Sequence, residues 1–243
     1  MAFDSVVRPV AYLDEQGRPT GFAADYVGAI AREAGFQVEY VTGAKERLWS
    51  EFADGRVDLV ASLVFTEERT KTMDFALHYL VLEGAMFGRR DGGRLRTLDD
   101  LAGRRVAVTR GAVTHDYLRA HPEWKVEIVP VDSTEAALRL VNEGGCDAAI
   151  NVALVAEKLV RERGFERVVR EDVALPGLLY KYHMAVKKGD AALLRRVNEA
   201  QWVLHERGEF ARLHEKWIGP LKVRDLDLRE LRPYLWPLAV VLV

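Results

Sequence analysis

The sequence holds one cysteine, Cys146, so the chain can form no internal disulfide and no cysteine-based zinc cluster. That count leaves the redox compartment open. No surplus of positive charge is present either: 35 Lys and Arg stand against 37 Asp and Glu, for a net charge of −2. A dedicated nucleic-acid binder needs a basic surplus to neutralise phosphates, and this chain has none. The six histidines (His78, His115, His121, His183, His205 and His214) never fall at i, i+4, and no H-E-x-x-H occurs, so a metal site has no support. Glycine-rich phosphate loops and a G-x-S-x-G elbow are also missing. Enzymes usually leave some such trace, so the silence favours a binding module, and no cofactor is expected.

What is present is ordinary globular composition, with 243 residues, 49% of them apolar and 30% charged. A chain this long buries roughly 70–75% of its unfolded surface and needs no disulfide or metal to fold. At roughly 150 residues per domain, one large domain or two small lobes both fit. The N-terminus, Met1-Ala2-Phe3-Asp4, has no basic region and no apolar signal core. The other end, Leu235 to Val243, is a run of nine apolar residues. That is too short to span a bilayer, which takes about 20. It reads either as a packed terminal element or as the first turns of a membrane-spanning helix. Arg232, Tyr234 and Trp236 suit a membrane-interface belt and favour the second.

Between the ends, helix-like and strand-like periods alternate. Val27, Ile30, Ala31 and Ala34 mark a helix that Gly35 caps. Val38 to Val41 reads as a strand, and Leu48 and Phe52 share a face of a short helix that Gly55 stops. Val57 to Val64 reads as a buried strand, with Thr66 able to cap the next turn. Thr97 to Asp100 has capping-box spacing. Arg105 to Thr109 reads as a strand before a helix opening near Val113. Val126 to Val131 is a strand, and Asp132 with Glu135 caps the helix of Ala137, Leu140 and Val141. Asp147 to Ile150 is a strand, followed by the helix of Val152, Val155, Ala156 and Leu159, which Gly164 ends. Tyr182 to Val186 is strand-like. Asp190 caps the next helix, and Phe210, Leu213, His214 and Trp217 define the last. Cys146 reads as a small core residue. This alternation predicts α/β architecture with parallel sheet, whose ligands sit at the carboxyl ends of strands. The loops after Val64, Thr109 and Ile150 are therefore the candidate site.

Several short pieces recur in a known order: Pro9…Gly17…Gly21-Phe22…Asp25, Gly55-Arg56-Val57-Asp58, and Thr66-Glu67-Glu68-Arg69 with Asp74-Phe75. Leu98…Leu101…Gly103-Arg104-Arg105-Val106-Ala107-Val108…Gly111, Ala137-Leu138…Gly144…Asp147-Ala148, Ala185-Val186-Lys187-Lys188 and Gly208…Lys216-Trp217-Ile218-Gly219 follow. In these the chain resembles the bacterial extracellular solute-binding proteins of the polar amino-acid class, family 3. The resemblance implies a two-lobed periplasmic-binding-protein type II fold, each lobe a mainly parallel sheet flanked by helices and joined by two crossover strands. Lobe 1 would be residues 1–87 plus 186–219, and lobe 2 residues 90–183. The hinge would lie at Gly88, Arg89, Tyr182 and His183. A linker, 220–234, and the start of a truncated transmembrane helix, 235–243, would follow. The family opens with an apolar strand for which only Met1-Ala2-Phe3 is available here.

The same resemblance implies a site. Arg69 matches the residue that receives a ligand carboxylate, and a planar guanidinium suits that role through paired charge-assisted hydrogen bonds. Its plain alternative is a surface arginine paired with Glu67 or Glu68. Ser62 matches a polar contact or is simply a small strand residue; Val64 and Thr66 complete that side. Across the cleft lie Ala112, Val113 and Thr114. Asn151 stands where the transport proteins commonly carry an acid that pairs with the ligand's ammonium; it could equally cap a helix at Val152. Val7 and Lys45 fill the family's aromatic positions. The carboxylate anchor is thus kept while much of the amino-acid reader is lost.

Three functions are compatible with this pattern. A ligand-sensing domain of a membrane receptor, such as a sensor histidine kinase, fits the apolar end and Asn151. It would bind a small carboxylate-bearing solute outside the bacterial inner membrane, anchored by the segment after Val243, with a homodimer possible in the full receptor. A substrate-binding protein of an amino-acid importer has the same fold but needs no apolar tail. A dehydratase-like enzyme would need an acid in the cleft, with Glu171 or Asp172 available. The receptor reading expects the coding sequence to continue with about ten more apolar residues beyond Val243, completing a span. Sequencing the locus checks this, and a stop codon there favours the importer.

Overall fold

The computed structural model describes residues 1–3, 8–43 and 45–219, with the side chains of Lys45 and Glu46 outside the description. In chain order the elements are β1 (Tyr12–Leu13), β2 (Pro19–Thr20), α1 (Phe22–Ala34), α2 (Lys45–Ala53), β3 (Leu59–Val64), β4 (Met73–Phe75) and β5 (Leu80–Arg89). They continue with β6 (Arg105–Thr109), α3 (Val113–Arg119), β7 (Glu127–Val131), α4 (Thr134–Glu143), β8 (Ala148–Val152), α5 (Ala153–Arg163), β9 (Val168–Arg170), β10 (Leu179–Lys187), α6 (Ala191–Glu206) and α7 (Glu209–Trp217). Short 3₁₀ turns span Glu68–Lys71, Leu98–Leu101 and Pro122–Trp124. The described residues divide into two compact units, one of residues 1–3 and 39–198, the other of 8–38 and 199–219.

The first unit is built on an eight-stranded sheet in the order β3-β10-β5-β8-β6-β7, with β4 on β10 and β9 on β5. The fold class is the expected α/β, but the sheet is mixed rather than mainly parallel. Among the ladders of the described residues only those of β6, with β7 and β8, are parallel; β5 and β10 run antiparallel to every strand they meet. The physical reason is that β5 and β10 cross back through the sheet, and a returning strand pairs antiparallel. One apolar cluster gathers Ala85, Phe87, Ala107 and Ala149 from the strands with Leu138 and Val141 of α4 and Ala153 and Ala156 of α5. Cys146 belongs to it, and burial pushes its thiol pKa up, as suits a core residue. A second cluster joins Leu48 and Phe52 of α2 to Val60, Leu63, Met73 and Ala185.

Met1 to Phe3 takes the place of the opening strand through isolated bridges, without joining a ladder. Ala2 bridges Val41 and Val60 in parallel, and Ala2 and Phe3 are both buried. The stretch Val38 to Val41, expected as a strand, pairs only through Val41 and joins no ladder. The Thr97 capping box forms as its spacing predicts. The cap of α4 is Ser133, whose hydroxyl accepts from the Ala136 amide, and not Asp132. Ser133 stands three residues before that amide, the spacing a side-chain cap requires.

The second unit packs α1 against α7. Phe210 lies edge-on to Phe22 and Tyr26, with ring centroids 5.9 and 5.4 Å apart. The Asp25 carboxylate accepts from Lys216 Nζ at 2.6 Å and from Trp217 Nε1 at 2.8 Å, so the two ends of the family pattern meet in one contact. Gly21 precedes α1 at φ +106°, and a Cβ there would fall 2.6 Å from the Pro9 carbonyl oxygen and 2.8 Å from that of Val10. Both oxygens are tied to amides at the start of α1, those of Phe22 and Ala23, so neither can retreat cheaply. Gly21→Ala is therefore expected to cost at least about 2 kcal/mol, measured by urea denaturation. A loss under about 0.5 kcal/mol would contradict the geometry.

Candidate functional site

The first half of the site is built at the end of β3. Buried apolar residues hold the strand through Leu63, and the chain then leaves the sheet into the Glu68–Lys71 turn. Thr66 caps that turn, its hydroxyl accepting from the Arg69 amide at 3.4 Å. The half-buried Arg69 side chain folds back so that Nη1 donates to the Val64 carbonyl at 2.5 Å. Its guanidinium carbon lies 5.8 Å from the centre of the Trp49 ring of α2. Val64, Thr66 and Arg69 are thus brought together, with the guanidinium steered by a backbone carbonyl and an aromatic face. Ser62, two residues back on β3, is buried, and its hydroxyl finds no hydrogen-bond partner.

The second half is built on β6, β8 and α3. Ala112 occupies the cap position of α3 and Val113 its first turn. Thr114 is buried and its hydroxyl bonds the Tyr180 hydroxyl of β10. Burial pushes the Tyr180 pKa up to about 12, against the opposing pull of that Thr114 bond. Asn151 does not cap α5: Val152 holds that position, and Asn151 is the penultimate residue of β8, opposite Ala85 of β5. It is only 4% exposed, and its Nδ2 has no partner. Val7 lies outside the described residues, as does the side chain of Lys45.

Register relates the two halves. Val64 pairs with Tyr182, which pairs in turn with Leu80; Asn151 pairs with Ala85, five residues further along β5. That is roughly 17 Å of extended strand at about 3.4 Å per residue. The structure therefore gathers Val64, Thr66 and Arg69 at one end of β5 and places Asn151 nearer the other, with Thr114 tied to β10 between them.

Sequence reasoning passed over Thr109 and Tyr180. Thr109 ends β6, and its buried Oγ1 also lacks a partner. β6 pairs with β8 in parallel through Val106↔Ala148 and Ala107↔Ala149, and Thr109 and Asn151 lie two residues beyond that last pair on their respective strands. The signal was available: a polar residue closing an apolar strand, at the edge where α/β sheets bind ligands.

At the expected hinge, Gly88 and Arg89 end β5 between β8 and β9. A Cβ on Gly88 would collide with the carboxylate of Glu171, and one on Gly144 with the guanidinium of Arg89. Glu171 is 5% exposed, and burial raises its pKa against the opposing charge of Arg94. Its carboxylate thus packs on Gly88 of β5. Tyr182 is fully enclosed. His183 Nδ1 lies 2.7 Å from the Ala76 carbonyl, with its ring among Phe65, Phe75 and His78, and Nε2 is buried without a partner.

This mixed α/β fold is that of the periplasmic-binding-protein-like domains, and the chain matches known members along most of its length. The model of the bacterial extracellular solute-binding proteins, family 3, matches residues 1–220, and the chain belongs to that family. It is 27% identical to the amino-acid-binding protein AabA of Dichelobacter nodosus over 216 residues, 86% of this chain and 83% of that protein. The L-cystine-binding protein TcyJ of Escherichia coli K12 is 25% identical over 216 residues, covering 87% and 79%. Among solved structures, a histidine kinase sensor domain with similarity to periplasmic binding proteins matches with TM-score 0.80 and 30% identity, covering 90% of this chain and 96% of that one. An ancestral arginine-binding protein bound to arginine matches with TM-score 0.77 and 26% identity, covering 89% and 96%.

Burial lowers the His183 pKa from its ordinary 6.5; the Ala76 carbonyl opposes the shift, and the charges of His78 and Lys181 add to it. The unfolded chain then takes up the proton more readily than the folded one. Stability from this residue is complete above pH 6.5 and is lost as pH falls from there toward the depressed folded value. His183→Asn keeps a donor for Ala76 and does not titrate. Its melting temperature should fall less than the wild type's between pH 7.5 and pH 5, followed by circular dichroism. Parallel curves would remove His183 from the pH response.

Proposed function

We propose that this chain is the ligand-sensing domain of a bacterial transmembrane receptor, such as a sensor histidine kinase. In this reading it binds a small carboxylate-bearing solute on the extracytoplasmic side of the membrane. The similarity to a histidine kinase sensor domain over 96% of that chain carries the proposal. Arg69 is the anchor: its guanidinium is already positioned by Val64 and Trp49 and receives the ligand carboxylate. Thr66, Val64 and Ser62 complete one wall, and Ala112, Val113, Thr114 and Asn151 the other, with Val7 and Lys45 at the positions where the family carries aromatic residues. Two lobes, residues 1–87 with 186–219 and residues 90–183, close about Gly88, Arg89, Tyr182 and His183. A ligand that contacts both walls favours the closed state over the open one, and that differential affinity is the signal. The domain itself performs no chemistry; the segment from 220 to 243 passes closure to the membrane.

The second reading, an importer's binding protein, is favoured by the curated relatives, which are named for amino-acid and cystine binding. Two measurements separate and test these. A thermal-shift screen with mono- and dicarboxylates, aromatic acids and L-amino acids should give a hit that raises the melting temperature as RT ln(1+[L]/Kd). Arg69→Ala should abolish that shift while melting cooperatively; an unchanged shift removes Arg69 from the site. In cells, the full gene product should fractionate with the inner membrane and carry an output domain after residue 243. A free or lipid-anchored product that ends with the binding fold would establish the importer reading.

A further inference from the structure

Among the described side chains of the first unit, four buried atoms have neither a hydrogen-bond nor an ion-pair partner: Ser62 Oγ, Thr109 Oγ1, Asn151 Nδ2 and His183 Nε2; a fifth, Arg89 Nε, faces the Asp91 carboxylate at 2.6 Å. Such groups are costly, because each has given up water and received nothing in return. Two of the four sit together. Thr109 and Asn151 occupy equivalent places at the carboxyl ends of the parallel pair β6 and β8, each two residues beyond the alanine pair Ala107↔Ala149. On β6 from Val106 and on β8 from Ala148, every residue before that edge is apolar and buried. The carboxyl edge of parallel strands is where an α/β sheet meets its ligand.

We propose that Thr109 and Asn151 form a neutral polar subsite, and that it selects a carboxylate whose second carbon bears a carbonyl or hydroxyl oxygen rather than an ammonium. The inference rests on the reading of Arg69 as the carboxylate anchor and names the ligand class of that same site. The donor count decides between the candidates. The Asn151 amide nitrogen needs an acceptor, and the Thr109 hydroxyl can donate or accept. A 2-oxo or 2-hydroxy oxygen satisfies the amide donor and takes a second bond from the hydroxyl. An ammonium has three donors and no lone pair, so it leaves the amide nitrogen unpaired. It would also enter a buried edge without a countercharge. The polar residues at least nine-tenths buried, among those described, are Ser62, Thr114, Asn151, Glu171 and Gln201, and the single acid, Glu171, is packed on Gly88. Turning the amide over would offer an ammonium one neutral oxygen and no charge, which repays little of its desolvation.

The test uses matched sets: an L-amino acid, its 2-oxo acid and its 2-hydroxy acid, with alanine, leucine, phenylalanine and glutamate side chains. Affinities are measured by calorimetry on the wild type, Asn151→Asp, Thr109→Val and Arg69→Ala. In at least one set the wild type should bind the oxo or hydroxy acid at least about tenfold more tightly than the amino acid, the effect of one buried donor left unpaired. Asn151→Asp should reverse that order. Thr109→Val should narrow it while keeping a cooperative melt; a purely structural threonine would alter the melting temperature and leave the order alone. Tighter amino-acid binding by the wild type, or an order that Asn151→Asp does not change, overturns the subsite even if Arg69→Ala abolishes binding and the anchor stands. Binding that survives Arg69→Ala overturns the anchor, and no binding in any set overturns both.

Discussion

The β10 strand is the constraint on which the rest of the first unit depends. One of its edges pairs with β3, the other with β5 and then β4, so nine residues tie three strands into one ladder. The Arg69 turn hangs from this arrangement. Val64, whose carbonyl holds the guanidinium, is itself held by Tyr182. The same strand reaches the other wall through Tyr180 and Thr114. One side is therefore set by backbone pairing with β10 and the other is tied to it by a side-chain hydrogen bond.

β5 plays the complementary part. It begins against β10 and ends between β8 and β9, which makes it the other route by which the chain passes from one group of strands to the next. Its end is crowded on purpose by large side chains laid over glycine: Glu171 on Gly88, Leu178 and Tyr180 on Gly84. Glycine at these positions lets a carboxylate or an aromatic ring approach the backbone closely, which a Cβ would prevent. The proposed hinge at Gly88 and Arg89 would gain from such contacts, because the covering side chains could follow the strand.

The polar atoms left unpaired divide by location. His183 Nε2 lies among aromatic rings, where neutrality of the imidazole is the stable state. Thr109 and Asn151 lie instead at the carboxyl ends of β6 and β8, where the proposed ligand oxygen would complete them. The same unsatisfied bond thus favours a fixed protonation state in one place and, in the proposed subsite, would serve recognition in the other.

Local rules were legible in the sequence. The helices of Val27 to Ala34 and of Phe210 to Trp217, the Thr97 capping box, the caps at Gly35 and Gly164 and the α/β class all follow from periodicity and turn chemistry, which act over a few residues. The Thr66-to-Arg69 turn was legible for the same reason, since cap and capped amide are three residues apart. Strand direction was not, because whether β5 and β10 run parallel or antiparallel to their neighbours is fixed by the path of the whole chain. Nor was the Ser133 cap, where two adjacent residues competed for one helix start. The status of Asn151 was open to a cap or a wall, and only the tertiary ladder, which puts Val152 at the cap and Asn151 inside β8, excluded the cap. Its equivalence in register to Thr109 lies further still from the sequence: the two are 42 positions apart and come to the same edge only because β6 and β8 lie side by side.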